Sequence, residues 1–418
     1  MSLTTKLNIG LFGFGTVGKG LYDVLHQTPA LQANIKKICI KQANKKRAID
    51  AAYFTTQAND LLEDESINVI VELIDDAAAA FEIVKAALSK KKAVVSANKK
   101  MIATHFQELL QLQETYQTPF LYEGSCCASL PVIRNLEEYY DNDLLHSFRG
   151  IVNGSTNFIL HKMFAENLEF EQALLEAQQA GFAESNPALD VEGFDAANKL
   201  SILLAHSFGT ITHPEELIFT GIQNIQSQDA AIAAGRHQTI KLVAHAQRLK
   251  NGQLAAFVLP QLVATHDDLY SVSEENNAVI IESSFATKHF FKGKGAGAFP
   301  TAAAVLSDIA ALRYQYKYEY KKIGQPFATQ LTSQYYLKVL VRFEANELIN
   351  ESNFEAIEEW HQEAHSNWLV GIISAEKLLY ENWWYQPGVS LIACENPVID
   401  DLEYRKIRKR SLELAGVH

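Results

Sequence analysis

A glycine turn between an apolar run and an amphipathic stretch is the feature that most constrains the fold of this chain. The run LNIGLF at residues 7–12 leads directly into GFGTVG at residues 13–18. In a strand–turn–helix unit, glycines at this spacing permit a tight turn, close approach of a pyrophosphate to the backbone, and packing of the helix on the strand. The pattern predicts a dinucleotide-binding unit, with a glycine-rich turn that binds no ligand as the alternative.

Apolar runs and amphipathic stretches then alternate up to about residue 123, which predicts a parallel β-sheet covered by helices. The predicted strands and helices are strands 35–40, 68–74, 93–96 and 120–123 and helices 77–88 and 103–114. Ligands bind at the carboxyl ends of such strands, so Lys99, which follows the strand at 93–96, is expected at the cofactor crevice. A surface lysine is the alternative, because four further lysines lie within nine residues of it.

The residues that follow the second predicted strand favour NADP(H) over NAD(H). A site dedicated to NAD places an acidic residue there, against the ribose 2′-hydroxyl. This chain has Lys41 at that position, followed by Lys45, Lys46 and Arg47. Cations pair with a 2′-phosphate, so NADP(H) is the preferred cofactor and NAD(H) remains possible. A solvated basic loop is the alternative.

From about residue 135, hairpin spacing predicts a second, mostly antiparallel sheet with helices on one face. Its predicted strands are 143–153, 239–247, 254–259, 278–282 and 289–292. A glycine turn at 293–297 then opens an alanine-rich helix. We therefore predict a Rossmann dinucleotide-binding domain at 1–134, completed by a helix at 298–322, and an α+β substrate-binding, catalytic and dimerisation domain at 135–297.

The last portion of the chain, residues 330–418, is predicted to form a separate small α+β module. Its predicted elements are strands 335–343, 369–373 and 389–393 and helices 354–364 and 375–385. All four tryptophans lie in this portion, which distinguishes it in composition from the rest of the chain.

A cluster of charged residues at 181–200 points to a polar site. Glu184 and Asp190 lie on a predicted loop, whereas Asp195 and Lys199 lie four residues apart on one face of a predicted helix at 194–208. Carboxylates beside an ammonium can bind an amino-acid zwitterion and supply a proton. An exposed ion pair next to an acidic loop is the alternative.

Taken together, these motifs resemble the homoserine dehydrogenase family over about residues 7–320. The motifs that carry the resemblance are GFGTVG at 13–18, VSANK at 95–99, GIVNGSTNFIL at 150–160, the block at 181–200, and GAG at 295–297 followed by PTA at 300–302. The resemblance implies a monofunctional NADPH-dependent oxidoreductase that interconverts aspartate 4-semialdehyde and homoserine. This reaction belongs to the aspartate pathway, which leads to threonine, methionine and isoleucine.

The resemblance also implies a role for particular residues. Lys199 would donate and accept the proton, Lys99 would lie between nicotinamide and substrate, and Asp195 would complete the catalytic set. The implied substrate-binding residues are Glu184, which would hold the substrate ammonium, Asp190, Asn153, Thr156 and Lys199. The implied cofactor-binding residues are Gly13, Phe14, Gly15, Thr16, Val17, Gly18, Lys41, Arg47, Ser96, Lys99 and Gly297.

Three segments depart from the family pattern. The resemblance implies a sodium site formed by Glu123 with the carbonyls of Cys126, Ala128 and Leu130. In this chain, the run GSCCASLP at 124–131 replaces the glycine-rich run of the family, which restricts the backbone of that site. The segment LIDDA at 73–77 replaces a glycine pair and adds two acids near the cofactor. The tail resembles a regulatory ACT module only through YYLKVLV at 335–341, so oligomerisation is a simpler expectation than feedback by threonine.

Composition bounds the partners and the location. A chain of 418 residues with a net charge of −12 predicts two or three domains and no nucleic-acid partner. Four cysteines without zinc-ligand spacing favour a reducing cytoplasm, and no apolar run is long enough for a membrane span. The resemblance implies a homodimer or homotetramer. Two alternatives remain, a catalytically silent dinucleotide-sensing protein and a related dehydrogenase with another amino-acid substrate.

Overall fold

The computed structural model describes residues 6–141, 145–326, 329–363 and 366–414. The chain divides into two compact units, each built from three separate stretches. Unit 1 comprises Met1–Asp143, Ser201–His213 and Gly293–Pro326, and unit 2 comprises Leu144–Leu200, Pro214–Lys292 and Phe327–His418. The catalytic segment and the tail, which we expected to form separate domains at 135–297 and 330–418, therefore belong largely to one unit.

The described residues form sixteen strands and fourteen α-helical segments. The strands are β1 (Leu7–Phe12), β2 (Ala33–Cys39), β3 (Phe54–Thr55), β4 (Val69–Glu72), β5 (Ala93–Ser96), β6 (Phe120–Leu121), β7 (Leu145–Ile151), β8 (Ile218–Phe219), β9 (Gln238–Arg248), β10 (Leu254–Ala264), β11 (Asn276–Ser283), β12 (Thr287–Lys294), β13 (Tyr335–Phe343), β14 (Ala356–Glu363), β15 (Ser366–Ser374) and β16 (Val389–Asp400). The helices are α1 (Thr16–Gln27), α2 (Asn59–Leu62), α3 (Ala77–Ser89), α4 (Lys99–Thr104), α5 (Phe106–Tyr116), α6 (Val132–Arg134), α7 (Gly154–Ala165), α8 (Phe170–Gln179), α9 (Ala188–Val191), α10 (Phe194–Phe208), α11 (Ser227–Gly235), α12 (Ala298–Leu312), α13 (Ala375–Tyr380) and α14 (Asp401–Leu414).

Unit 1 contains the predicted parallel sheet. Among its described residues, six strands pair in the order β3-β2-β1-β4-β5-β6. This is the strand order of the doubly wound dinucleotide-binding fold, and its order reverses between β1 and β4. The central strands are apolar because both faces of the sheet are covered, as at Ile9, Leu11 and Val71. The Rossmann prediction is therefore confirmed.

Helix α12 packs on α1 within unit 1. A Cβ atom at Gly20 of α1 would lie 2.8 Å from the carbonyl oxygen of Ala298, so this glycine permits the close approach of the two helices. The predicted extension of the helix to residue 322 is wrong. The helix ends at Leu312, and the N–H of Arg313 still bonds the Ala310 carbonyl at 3.2 Å before a tyrosine-rich segment begins.

Unit 2 contains a mixed sheet. Ten of its described strands pair, nine of them in the order β12-β11-β7-β9-β10-β16-β13-β15-β14, while β8 pairs with β10. The predicted antiparallel pairing is clearest between β9 and β10, whose ladder runs from Arg248↔Leu254 to Gln238↔Ala264. The ladder extends further than predicted because β10 is buried along its whole length.

The strands of the tail belong to this same sheet rather than to a separate module. Strand β16 lies beside β10 in parallel, at Gln261↔Ala393, and β13 pairs antiparallel with β16. The reason is a shared apolar core, in which Phe257 and Leu259 of β10 cluster with Val339 of β13. Burying these faces together removes apolar area from water that an isolated module would expose.

One predicted helix of the tail is a strand. Residues 354–364, predicted as helical, contain β14, which pairs antiparallel with β15. Glutamate and alanine in this segment favour a helix, but Trp360 faces Leu369 and His361 stacks on Trp368 at 5.0 Å between ring centroids. These cross-strand contacts override the local preference. Helix α13 also ends at Tyr380 instead of residue 385, and α14 was not predicted.

Candidate functional site

The glycine turn of unit 1 has a different constraint at each glycine. Gly13 has φ +91°, and a Cβ atom there would overlap the carbonyl oxygen of Leu73. A Cβ atom at Gly18 would overlap the carbonyl oxygen of Gly13, whereas one at Gly15 would have no neighbour within 4 Å. Gly13 and Gly18 are thus required for packing. Gly15 leaves the backbone open at the start of α1, which is the geometry that a bound pyrophosphate needs.

The other predicted cofactor residues near the turn are placed as follows. Phe14 contacts the ring of Phe54 edge-on, with 5.3 Å between centroids. Thr16 and Val17 open α1, and Gly297, with φ +120°, precedes α12. All of them belong to unit 1.

A basic cavity of about 570 Å³ follows β2, and Lys45, Lys46, Arg47 and Phe54 are among its lining residues. The guanidinium of Arg47 lies 5.0 Å from the centroid of the Phe54 ring. It donates hydrogen bonds to the carbonyls of Lys45 at 2.7 Å and of Gln42 at 2.9 Å. Lys41 is exposed and is not among the lining residues. Arg47 is therefore the cation held most firmly in this cavity.

A ring of hydrogen bonds joins the carboxyl ends of β4 and β5. The carboxylate of Glu72 accepts from Ser96 Oγ at 2.6 Å and from the N–H of Ile74 at 2.7 Å. The Asn98 N–H donates to Ser96 Oγ at 3.0 Å, and Asn98 Nδ2 donates to the Ile74 carbonyl at 3.0 Å. Lys99 follows as the half-buried first residue of α4.

The ring contains a residue that the sequence analysis missed. Glu72 is fully buried, and burial is the main cause that raises the pKa of its carboxyl to about 7, with a smaller contribution from Asp75. A carboxylate at the end of an otherwise apolar strand was the available signal, because such a group is rarely buried without a partner.

The predicted sodium-site residues adopt a constrained backbone. Cys127 and Ala128 have φ values of +55° and +45°, a conformation that glycine adopts at no steric cost. The Glu123 carboxylate accepts the N–H groups of Ile133 and Arg134, both at 2.9 Å. Burial, followed by the neighbouring Asp308, raises the pKa of Glu123 to about 8. The chain thus forms a left-handed turn here with residues other than glycine.

Unit 2 brings four of the predicted residues into one hydrogen-bonded cluster. Lys199 Nζ donates to Asp195 Oδ2 at 2.6 Å and to the Val152 carbonyl at 2.7 Å. Asn153 Nδ2 donates to Asp190 Oδ1 at 2.7 Å and to Asp195 Oδ2 at 2.8 Å. Lys199 and Asp195 are both buried, so their ion pair is shielded from water and stronger than a surface pair.

Two further predicted residues lie near this cluster in sequence but differ in their setting. Thr156 is buried, and its N–H bonds the side chain of Asn153 at 2.8 Å, which caps α7. Glu184 is exposed on its loop, and its backbone carbonyl accepts from Gln178 Nε2 at 2.9 Å. An exposed carboxylate is available to a charged group that arrives from solvent.

Asn277 is a second residue that the sequence analysis missed. It is fully buried in β11, and its Nδ2 donates to the Val152 carbonyl at 3.1 Å. The same oxygen accepts from Lys199, and a carbonyl oxygen has two lone pairs. Asn277 and Lys199 therefore share one acceptor oxygen. The signal for it was an amide directly before the apolar run AVII of β11.

Comparisons with known proteins agree with this geometry. A family model described as "Homoserine dehydrogenase" matches residues 131–310, and one described as "Homoserine dehydrogenase, NAD binding domain" matches residues 13–123. The homoserine dehydrogenase of Bacillus subtilis is 36% identical over 315 residues, which cover 73% of this chain and 72% of that protein. The chain belongs to the homoserine dehydrogenase family.

Solved structures of homoserine dehydrogenases extend the likeness to the tail. The enzyme from Thiobacillus denitrificans superimposes with a TM-score of 0.81 at 25% identity and covers 93% of this chain and 98% of its own. A mutant of a hyperthermophilic archaeal homoserine dehydrogenase in complex with NADPH superimposes with a TM-score of 0.63 at 26% identity. The match covers 75% of this chain and 100% of that structure. As a member of this family, the protein is an NAD(P)-dependent oxidoreductase. Within the described residues, no helix is both long and apolar enough to cross a membrane.

Proposed function

We propose that the protein interconverts L-aspartate 4-semialdehyde and L-homoserine with NADP(H). The buried cluster of Asn153, Asp190, Asp195 and Lys199 is the observation that carries this proposal. It combines an ammonium that can exchange a proton with carboxylates that orient it, and membership of the homoserine dehydrogenase family specifies the substrate.

In the reducing direction, a bound nicotinamide would supply the hydride that the aldehyde carbon accepts. Lys199 donates a proton to the aldehyde oxygen. Asp195 and the Val152 carbonyl hold the Lys199 ammonium in position for this transfer. Lys99 stabilises the negative charge that develops on the oxygen. In the oxidising direction, Lys199 accepts the proton from the substrate hydroxyl.

The remaining polar residues bind the amino-acid part of the substrate. Glu184 is exposed and negatively charged, so it pairs with the substrate ammonium. Asp190 and Thr156 complete the polar surroundings, and Asn153 links Asp190 to the ion pair. Substrate binding and proton transfer are thereby coupled through one hydrogen-bonded set.

The preference for NADP(H) rests on the basic cavity after β2. Arg47 is fixed there by two carbonyls and the Phe54 ring, so little conformational freedom is lost when it pairs with a 2′-phosphate. Lys45 and Lys46 also line the cavity and add positive charge around Arg47, whereas Lys41 lies outside the lining. NADH is then the weaker cofactor of the two.

A sodium ion would be held by Glu123 together with the carbonyls of Cys126, Ala128 and Leu130. The left-handed turn at Cys127 and Ala128 supports this assignment, because it keeps the backbone course for which glycine is the usual residue. The Glu123 carboxylate accepts two backbone N–H groups, and its two oxygens retain further lone pairs. The ion would stabilise this turn.

We further propose that the protein acts in the cytoplasm as a homodimer or homotetramer. Its reaction would serve the aspartate pathway toward threonine, methionine and isoleucine. The absence of zinc-ligand spacing among the four cysteines and the excess of acidic residues support a cytoplasmic enzyme without a nucleic-acid partner.

The test is to follow nicotinamide absorbance with homoserine or aspartate semialdehyde, and with NADP(H) or NAD(H) in parallel. The matched variants are Lys199→Ala and Lys162→Ala, because Lys162 forms an ordinary ion pair with Glu166 at the same four-residue spacing. We expect Lys199→Ala to lose about a hundredfold or more in kcat and Lys162→Ala to keep its activity.

Two results would contradict the proposal. Near-normal turnover of Lys199→Ala would show that another group transfers the proton. Folded wild-type protein without turnover with either cofactor, at several sodium and potassium concentrations, would discard the reaction and leave the dinucleotide-sensing alternative. Turnover only with a different amino-acid aldehyde would correct the substrate.

A further inference from the structure

Glu72 is a buried acid that the proposed reaction does not use. It is the last residue of β4, and β4 lies beside β1 at the point where the strand order of the sheet reverses. In doubly wound folds the ligand binds outside the carboxyl ends of the strands at this point. The carboxyl group is therefore placed under the expected cofactor crevice, but it is fully buried and cannot contact solvent.

Its contacts join the backbone segments that follow two neighbouring strands. Glu72 is in register with Ser96 of β5, and Ser96 Oγ donates to it at 2.6 Å. The N–H of Ile74 donates to the other oxygen at 2.7 Å, and Asn98 closes the ring by donating to both Ser96 Oγ and the Ile74 carbonyl. Four residues from two strand ends thus hold one another.

The hydrogen-bonded ring adjoins two segments with proposed roles, the start of α4 and the glycine turn. Asn98 Oδ1 accepts the N–H of Met101 at 3.0 Å and so caps α4, whose first residue is Lys99. On the other side, Leu73 lies between Glu72 and Ile74, and its carbonyl oxygen packs against Gly13 of the glycine turn. A shift of the ring would move both the turn and the start of α4.

A carboxylate suits this position better than the residues closest to it in shape. In its ionised form it accepts through both oxygens and donates nothing, which matches the two donors that Ser96 and Ile74 present. These two hydrogen bonds favour the ionised form and oppose the burial that raises the pKa of Glu72. Glutamine has one acceptor oxygen and an NH₂ group, so one of the two contacts must reverse its direction. Leucine would leave both donors unpaired in the interior.

We propose that Glu72 is a positioning residue that sets the glycine turn and Lys99 for cofactor binding and for turnover. This inference rests on the proposed function for the role of Lys99. It adds a buried residue that lies within the matched NAD-binding domain, residues 13–123, but outside the short motifs that carry the sequence resemblance.

The test compares Glu72→Gln and Glu72→Leu with a matched control, Glu137→Gln. Glu137 is also a buried acid of unit 1, and it likewise accepts one side-chain donor, His206 Nδ1 at 2.8 Å, and one backbone N–H, that of Tyr320 at 2.6 Å. For each variant, the Kd of NADPH is measured by fluorescence without any amino acid. The kcat and KM for homoserine and the thermal midpoint follow.

We expect Glu72→Gln to weaken NADPH binding and to lower kcat, each by about tenfold, and Glu72→Leu to do so more strongly. Glu137→Gln should lower the thermal midpoint about as much as Glu72→Gln does. Its Kd for NADPH and its kcat should stay close to the wild-type values. A purely structural Glu72 would instead give the same pattern as Glu137, and that result would overturn the proposal.

The design stays decisive if one variant or one assumption fails. If Glu72→Leu does not fold, Glu72→Gln still tests the proposal, since glutamine has nearly the same shape and keeps one acceptor. If the wild type binds NADPH but does not turn over homoserine, the proposed function fails while the Kd values still test Glu72. If the wild type binds neither NADPH nor NADH, this inference is overturned as well.

Discussion

The substitution Gly15→Ala separates cofactor binding from folding. Gly15 has φ −81° and ψ −154°, which alanine also adopts, and the added methyl group would meet no atom of the protein within 4 Å. Replacing the glycine removes freedom from the unfolded chain but places a poorer residue at the N-cap of α1. These effects oppose each other, so we expect the free energy of unfolding to change by less than about 1 kcal/mol.

Cofactor affinity should respond much more strongly. The methyl group would project into the space through which a pyrophosphate approaches the backbone at the start of α1. Overpacking by one methyl group costs about 1–3 kcal/mol, and about 1.4 kcal/mol corresponds to a tenfold change in affinity. We therefore expect the Kd of NADPH to rise roughly tenfold to a hundredfold.

The assay is a fluorescence titration with NADPH beside a thermal melt. Gly235→Ala is the control, because a methyl group at this last residue of α11 would also meet no neighbour within 4 Å. Gly18→Ala is the contrasting case, since its methyl group would overlap a backbone carbonyl and should destabilise the fold itself. Unchanged NADPH affinity in folded Gly15→Ala would refute the assignment of this turn to the cofactor.

Three other substitutions test the basic cavity, a close backbone approach and a buried charge. Arg47→Ala should raise the KM for NADPH by roughly tenfold and leave the KM for NADH nearly unchanged, and equal effects on both would contradict a 2′-phosphate site. Gly221→Ala should lower the free energy of unfolding by about 1–3 kcal/mol or more, because its methyl group would overlap the Val191 carbonyl. A denaturant titration that matches the wild type would show that the backbone here can shift at little energetic cost. Burial lowers the pKa of Lys241 to about 8, so between pH 8 and the ordinary lysine value the unfolded chain binds more protons than the folded one, and stability should rise with pH. Denaturant titrations at pH 7.5 and 10 should show the wild type gaining up to about 3 kcal/mol relative to Lys241→Met, whereas a constant difference would contradict the burial of this charge.

The sequence by itself determined the features that depend on neighbours along the chain. Alternating apolar runs and helices, with the glycine spacing at 13–18, were sufficient for the Rossmann unit because each strand, turn and helix is a local structure. The four-residue spacing of Asp195 and Lys199 likewise predicted their contact, since one helical turn brings such side chains together. The ordered motifs were sufficient for the family.

Only the tertiary structure decided the features that depend on partners far along the chain. The ring around Glu72 joins the ends of two strands, and Asn277 reaches the Val152 carbonyl from a strand more than a hundred residues later. Strand β14 was mistaken for a helix because its pairing with β15 outweighs local propensity. The tail joined the larger sheet because the apolar faces of β10 and β13 are buried together, and no local pattern encodes which distant surface will cover such a face.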